Sequence, residues 1–299
     1  MRRGRTGSAG IVFDVMALVL LLAGTALLFL PVAESRISQA SMNREIEKVE
    51  EELSLGTGRA EKSWTGAYEW LAAYNAKVAA GEVAISSDPF SSEGGNDALF
   101  LQGLEDGLIG YIEIPTMDCS LPLYLGSTEE NMLKGATVAY GSSVPLGEAP
   151  SNCVIAAHRS MRNAAMLRDI EKLSVGDEVR VNTVWQRLTY TVVEILIIDP
   201  TDLGEVAVQE GRDLVSLLTC HPYGSSASRY LVRCERSESA RTEECAGDEG
   251  DVADEGYSVV ELEDYARIAG AVILLACMAG LVVRVFRRWR GRGGRARSR

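Results

Sequence analysis

The sequence predicts a mainly β domain, a closed or nearly closed barrel, carried between two apolar segments at the chain ends. Three observations point there. Strand-like runs recur between residues 109 and 235, few helical patterns interrupt them, and stretches of about twenty largely apolar residues lie near both termini.

The first apolar stretch, Ile11 to Leu30, holds one charge, Asp14, and follows Arg2, Arg3 and Arg5. The second, Ile268 to Phe286, holds Arg284 and runs into Arg287, Arg288, Arg290, Arg292, Arg295, Arg297 and Arg299. Lysine and arginine gather on the cytoplasmic side of membrane spans, so both termini are expected inside the cell and the middle of the chain outside. A cleaved signal peptide competes with an anchor for the first stretch, although Pro31-Val32-Ala33 is a weak cleavage site. The charge count fits this division. The named arginines and Asp14 leave 19 basic against 41 acidic residues for the rest of the chain. So acidic an exterior excludes nucleic acid as a natural partner, and the basic tail suits anionic lipid headgroups.

Residues 1–33 are therefore read as a basic end and anchor, and 34–106 as an external helical region. In the latter, Ile37, Val49 and Leu53 lie among charged residues as a narrow apolar stripe, and Gly56-Thr57-Gly58 ends the pattern. Trp64, Tyr68, Leu71, Asn75 and Val78 follow at near-helical spacing until Gly81. A loop over 86–95 is rich in Ser, Asp, Pro and Gly, with Phe90 inside it.

Residues 107–237 hold the barrel. Strands are expected at Ile109 to Ile114, Ser120 to Tyr124, Asn152 to Ala157, Asp177 to Val184, Arg187 to Ile198, Asp213 to Thr219 and Arg229 to Glu235. Short helices are expected at Thr128 to Lys134, capped by Ser127, and at Met166 to Leu173. Acidic and small residues over 238–266 form a linker to the last segment, 267–299.

The six cysteines, Cys119, Cys153, Cys220, Cys234, Cys245 and Cys277, show no zinc spacing. An extracellular setting permits a disulfide among them, but spacing does not say which residues pair. Cys220 differs from the others. It ends an apolar run, and a Pro222-Tyr223-Gly224 turn separates it from Arg229 at the start of the next. Antiparallel pairing of these runs sets thiol beside guanidinium, and a cysteine next to a fixed cation is a candidate nucleophile. His158 ends the run Cys153 to Ala157 as Cys220 ends its own. His221 follows the thiol directly and so points to the opposite face. A neighbouring imidazolium and guanidinium both favour thiolate. His158 can then donate a proton to a leaving amine, and Arg229 can bind a developing oxyanion. Arg233 competes with Arg229 for that role, two residues on and on the same strand face, or else serves in a structural ion pair.

Thr219-Cys220, the Pro222-Tyr223-Gly224 turn, Arg229, Leu231-Val232-Arg233 and Ala157-His158-Arg159 together resemble a sortase, a cell-wall cysteine transpeptidase of Gram-positive bacteria. Asp88-Pro89-Phe90, Ala73-Tyr74-Asn75, Gly81 and the C-terminal apolar segment resemble the class C, pilin-polymerising, members. The resemblance implies an eight-stranded sortase barrel with catalytic His158, Cys220 and Arg229. It implies a lid in which Asp88 engages the arginine and the Phe90 ring covers the cysteine, with Pro89 between them. It implies cleavage of an LPXTG-like sorting signal through a thioester on Cys220 and transfer to a lysine amine of a pilin subunit, with no cofactor and no metal. Ser226 and Cys234 stand where the family often has Asn and Gly. Three other readings compete: a housekeeping sortase attaching surface proteins to peptidoglycan, a papain-like peptidase, and a non-catalytic scaffold anchored at both ends. The lid motif speaks against the first, the His-before-Cys order against the second, and the matched His, Cys and Arg at strand rims against the third.

Overall fold

A computed structural model describes residues 6–54, 61–91, 107–159, 161, 164–237 and the isolated positions 270, 279, 280 and 283. Helix α1 is continuous over Thr6–Ser54, and α2 spans Glu61–Ala79. Eight strands follow: β1 (Leu108–Ile114), β2 (Cys119–Leu125), β3 (Ala136–Val138), β4 (Ser151–Ala156), β5 (Glu178–Thr183), β6 (Arg187–Ile198), β7 (Asp213–His221) and β8 (Ser228–Arg236). Helix α3 (Glu129–Lys134) sits between β2 and β3. Residues 1–34 with 249–299 form one compact unit and 35–248 another; the second holds every strand. Among the described residues no helix is long and apolar enough to cross a membrane. Most of the second apolar stretch, and the linker over 238–266, lie outside the described residues.

The strands close into a barrel in the order β1-β2-β3-β4-β7-β8-β6-β5, so the sheet has no free edge. Its interior is packed by alternate residues of each strand, among them Ile112, Ile155, Val181, Leu188, Leu217 and Val232, all fully buried. Each such side chain contributes about 1.5–3 kcal/mol by leaving water. A second apolar cluster lies on the other face of β4, β7 and β8, where Val154, Leu218 and Leu231 meet Val206 and Ala139. Two parallel ladders, β2 with β3 and β4 with β7, interrupt an otherwise antiparallel sheet.

Of the eight strands, β3 was not foreseen. At three residues it is too short to show a period of two, and pairing with β2 and β4 fixes it. The helix expected at Met166 to Leu173 is instead a turn ending in one 3-10 turn, Ile170–Lys172. Tertiary partners take the backbone groups a helix would need: the Leu167 amide donates to the His158 carbonyl, and the Arg168 carbonyl accepts from Arg159 Nε. Met166 also has φ of 42°, outside the helical region. The cap of α3 is Thr128, whose hydroxyl accepts from the Asn131 amide at 3.1 Å, not Ser127. Ser127 is buried and bonds Thr137 Oγ1. On α1 the buried stripe is Met42 and Val49; Ile37 is exposed.

Helix α2 is fixed to the barrel by polar as well as apolar contacts. Asn75 donates to the Val144 carbonyl and accepts from the Val144 amide, both at 2.8 Å, completing a backbone-like pair with an irregular loop. Tyr74 Oη accepts from the Gly141 amide at 2.9 Å. Gly141 has φ of 86°, and a Cβ there would lie 2.4 Å from the backbone of Ala84, so only glycine lets the segment after α2 run this close. The chain is thereby directed from Gly81 across β3–β4 toward Asp88.

Candidate active site

Strand register builds the site. Cys220 on β7 stands directly opposite Arg229 on β8. Strand β4 runs parallel to β7 with Ala156 opposite Leu218, and the Ala157 amide donates to the Leu218 carbonyl, so two further residues bring His158 level with Cys220. Imidazole, thiol and guanidinium thus form one row across three neighbouring strands. The same face carries the apolar cluster of Val154, Leu218 and Leu231, against which Phe90 and Ile85 pack.

Arg229 is 4% exposed, and its five donors are well used. Nη1 donates to the Ser226 and Ser228 carbonyls at 3.0 and 2.8 Å. Nε and Nη2 donate to Asp88 Oδ1 and Oδ2 at 3.0 and 2.5 Å, a two-pronged pair made across the barrel surface by the loop after α2. Phe90 stands 5.1 Å from the same guanidinium carbon and 6.1 Å, ring to ring, from His158. Asp88, Pro89 and Phe90 therefore converge on the row: the carboxylate takes the arginine and the ring lies between arginine and histidine. Asp88 and Pro89 also line a small apolar cavity with Val154, Leu218, Leu203 and Arg229.

Electrostatics in this arrangement oppose ionisation of the pair. Burial raises the Cys220 pKa; Arg229 pulls it down and Asp88 pushes it up again. Burial lowers the His158 pKa. The expected thiolate assisted by two cations is thus opposed here: burial disfavours the charged form of both groups, and at Cys220 Asp88 offsets part of the guanidinium's pull.

Strand alternation sets His221 apart from the row, and ion pairing sets Arg233 apart. His221 lies away from the row: its Nδ1 is 3.1 Å from Arg159 Nη1 and its ring is 5.6 Å from Tyr230. Arg233 pairs with Glu194 and with Glu205, the latter at 3.0 Å, and also donates to the Glu205 carbonyl. It fastens β8 to β6 and to the loop before β7. Cys119, Cys153 and Cys234 are free thiols like Cys220, and burial raises the pKa of each. Cys245 and Cys277 lie outside the described residues. No group of side chains able to hold a metal ion occurs among the described residues. In the sequence Asn75 belongs to a helical stripe and to the Ala73-Tyr74-Asn75 part of the resemblance; its two-way bond to Val144 is not visible there, because the spacing of one asparagine does not reveal a loop partner 69 residues away.

A closed barrel with thiol, imidazole and guanidinium level on adjacent strands is the arrangement of a barrel-type cysteine enzyme. Residues 112–237 match the sortase domain family. The chain is 30% identical over 125 residues to sortase A of Bacillus anthracis, a match covering 42% of this chain and 58% of that protein. It spans less than two thirds of the curated relatives it matches. Among solved structures, sortase C1 of Streptococcus agalactiae is similar at 32% identity and TM-score 0.56, over 64% of this chain and 96% of that one. A Streptococcus pneumoniae sortase C, described with its pilin substrate specificity, is similar at 30% identity and TM-score 0.56, over 64% and 95%. The chain belongs to the sortase family.

Proposed function

We propose that this protein is a membrane-anchored class C sortase that cleaves an LPXTG-like sorting signal and joins the released acyl group to a lysine amine of a pilin subunit. The observation that carries this is the row of His158, Cys220 and Arg229 with Asp88 paired to the arginine. Once the carbonyl is bound, Cys220 passes its proton to His158 and the resulting thiolate attacks the threonine carbonyl carbon, forming a carbon–sulfur bond. The oxyanion of the tetrahedral intermediate takes hydrogen bonds from Arg229, and its collapse expels the glycine amine, which takes its proton from His158. The acceptor amine then attacks the thioester carbonyl, gives its proton back to the imidazole, and releases Cys220 as the isopeptide bond forms.

In the arrangement described, Arg229 is occupied by Asp88, and Phe90 stands over the row. The loop from Gly81 to Ser91 acts as a lid that must leave before a carbonyl reaches the guanidinium. The apolar stretches Ile11 to Leu30 and Ile268 to Phe286, with their flanking arginines, support anchoring at both ends, the barrel outside the cell.

The test is intact-mass analysis of the full chain in detergent after incubation with an LPXTG-like peptide. A thioester adduct that hydroxylamine removes and that C220A never forms is the expected result. Its absence from wild type and from the D88A variant alike would overturn the proposal.

A further inference from the structure

Each member of the catalytic row is followed in sequence by a residue of a second cluster on the opposite face. After His158 comes Arg159, after Cys220 comes His221, and after Arg229 comes Tyr230. These three meet. Arg159 is 3% exposed; its Nη1 lies 3.1 Å from His221 Nδ1 and its guanidinium carbon 5.8 Å from the centre of the Tyr230 ring. Its remaining donors go to the Arg168 carbonyl at 3.3 Å and to Glu171 at 2.8 Å, on the turn that follows β4. Glu171 also lies 3.5 Å from His221 Nδ1.

We propose that Arg159 is a positioning residue that sets the spacing of His158, Cys220 and Arg229 by tying together the residues that follow them. The proposal takes the roles of the row from the proposed function. Its physical basis is the alternation of strand side chains. A residue and its successor share a peptide plane, so anchoring one side chain beneath the sheet holds in place the backbone from which its neighbour projects above it. His158 lies beyond the last paired residue of β4, Ala156, where its carbonyl accepts from the Leu167 amide in place of a strand ladder. Arg159 adds a second constraint from the far side. A guanidinium only donates, so a hydrogen bond from Arg159 to His221 requires Nδ1 as its acceptor. The bond therefore needs an acceptor at position 221, not an imidazole as such.

That requirement gives the test. The full chain in detergent is prepared as wild type, R159Q, H221Q and H221L, each checked for a cooperative melt. Two readouts are taken: kcat and KM for transfer from an LPXTG-like peptide, and the pH midpoint of Cys220 alkylation by iodoacetamide, followed by mass of the Cys220 peptide. In R159Q and H221L, kcat is expected to fall at least about tenfold with KM within about twofold, since geometry and not binding is lost. The alkylation midpoint is expected to move by more than about half a pH unit. H221Q keeps a side-chain acceptor and is expected within about threefold of wild-type kcat. Folded R159Q and H221L with wild-type kcat and midpoint would overturn the proposal, as would H221Q impaired as severely as H221L. Should R159Q fail to fold, the two His221 variants decide alone. If wild type transfers no peptide, the proposed function fails while the alkylation midpoints still report on Arg159.

Discussion

At the scale of residues, the chemistry turns on which partner Arg229 holds. Asp88 now takes two of its donors, and the same carboxylate raises the pKa of Cys220. Removing the negative charge while keeping the shape, in D88N, leaves the guanidinium to favour the thiolate. The pH profile of Cys220 alkylation is expected to shift toward lower pH, with faster labelling at neutral pH; an unchanged profile would count against Asp88 as the restraint. Replacing the planar fork by a point charge, in R229K, is expected to lower kcat by about 10²–10³, the cost of losing an oxyanion donor. A steady-state assay on the sorting-signal peptide reads this directly. Much of this was legible beforehand. Alternation along β7 put His221 and Cys220 on opposite faces, and the turn length paired Cys220 with Arg229. The direction of the pKa shifts was not legible, since it depends on how deeply the folded chain buries Cys220 and His158 and on Asp88 reaching Arg229.

At the scale of elements, α2 acts as the bracket of the loop that reaches Arg229. Leu71 is fully buried, and Asn75 closes two hydrogen bonds with Val144. N75A strands both the amide and the carbonyl of Val144 and is expected to cost about 2–6 kcal/mol, because each buried unsatisfied group costs about 1–3 kcal/mol. Thermal melts measure that loss. The same variant is expected to speed Cys220 labelling, since the loop after Gly81 loses its footing. Long strands were readable from composition and period, as β6 and β7 demonstrate. Short elements defined by partners were not: β3 exists through two ladders, and the segment 166–173 gives up helical bonding because His158 and Arg159 claim its backbone. Thr128, not Ser127, capped α3 for a related reason, since Ser127 is drawn inward to Thr137.

At the scale of the whole molecule, the barrel has no free edge, and its described cysteines are all unpaired. Its stability therefore comes from packing and sheet closure, without a covalent staple among the described residues. The proposed topology makes a separate prediction: protease applied to intact cells is expected to release fragments from residues 35–248 while the arginine-rich ends stay protected, as immunoblots against each region would report. Fragments from the C-terminal arginines under the same treatment would reverse the orientation. The contact between Asp88 and Arg229 also joins positions 141 residues apart in one chain. A carboxylate tethered in this way behaves as a competing ligand that dilution cannot remove, present at a local concentration on the order of millimolar. Under the proposed function a sorting signal would have to outbid it, and its measured affinity is expected to be the intrinsic one scaled down by the fraction of molecules whose arginine is unoccupied. On that reading, occupancy of this single guanidinium sets the substrate threshold.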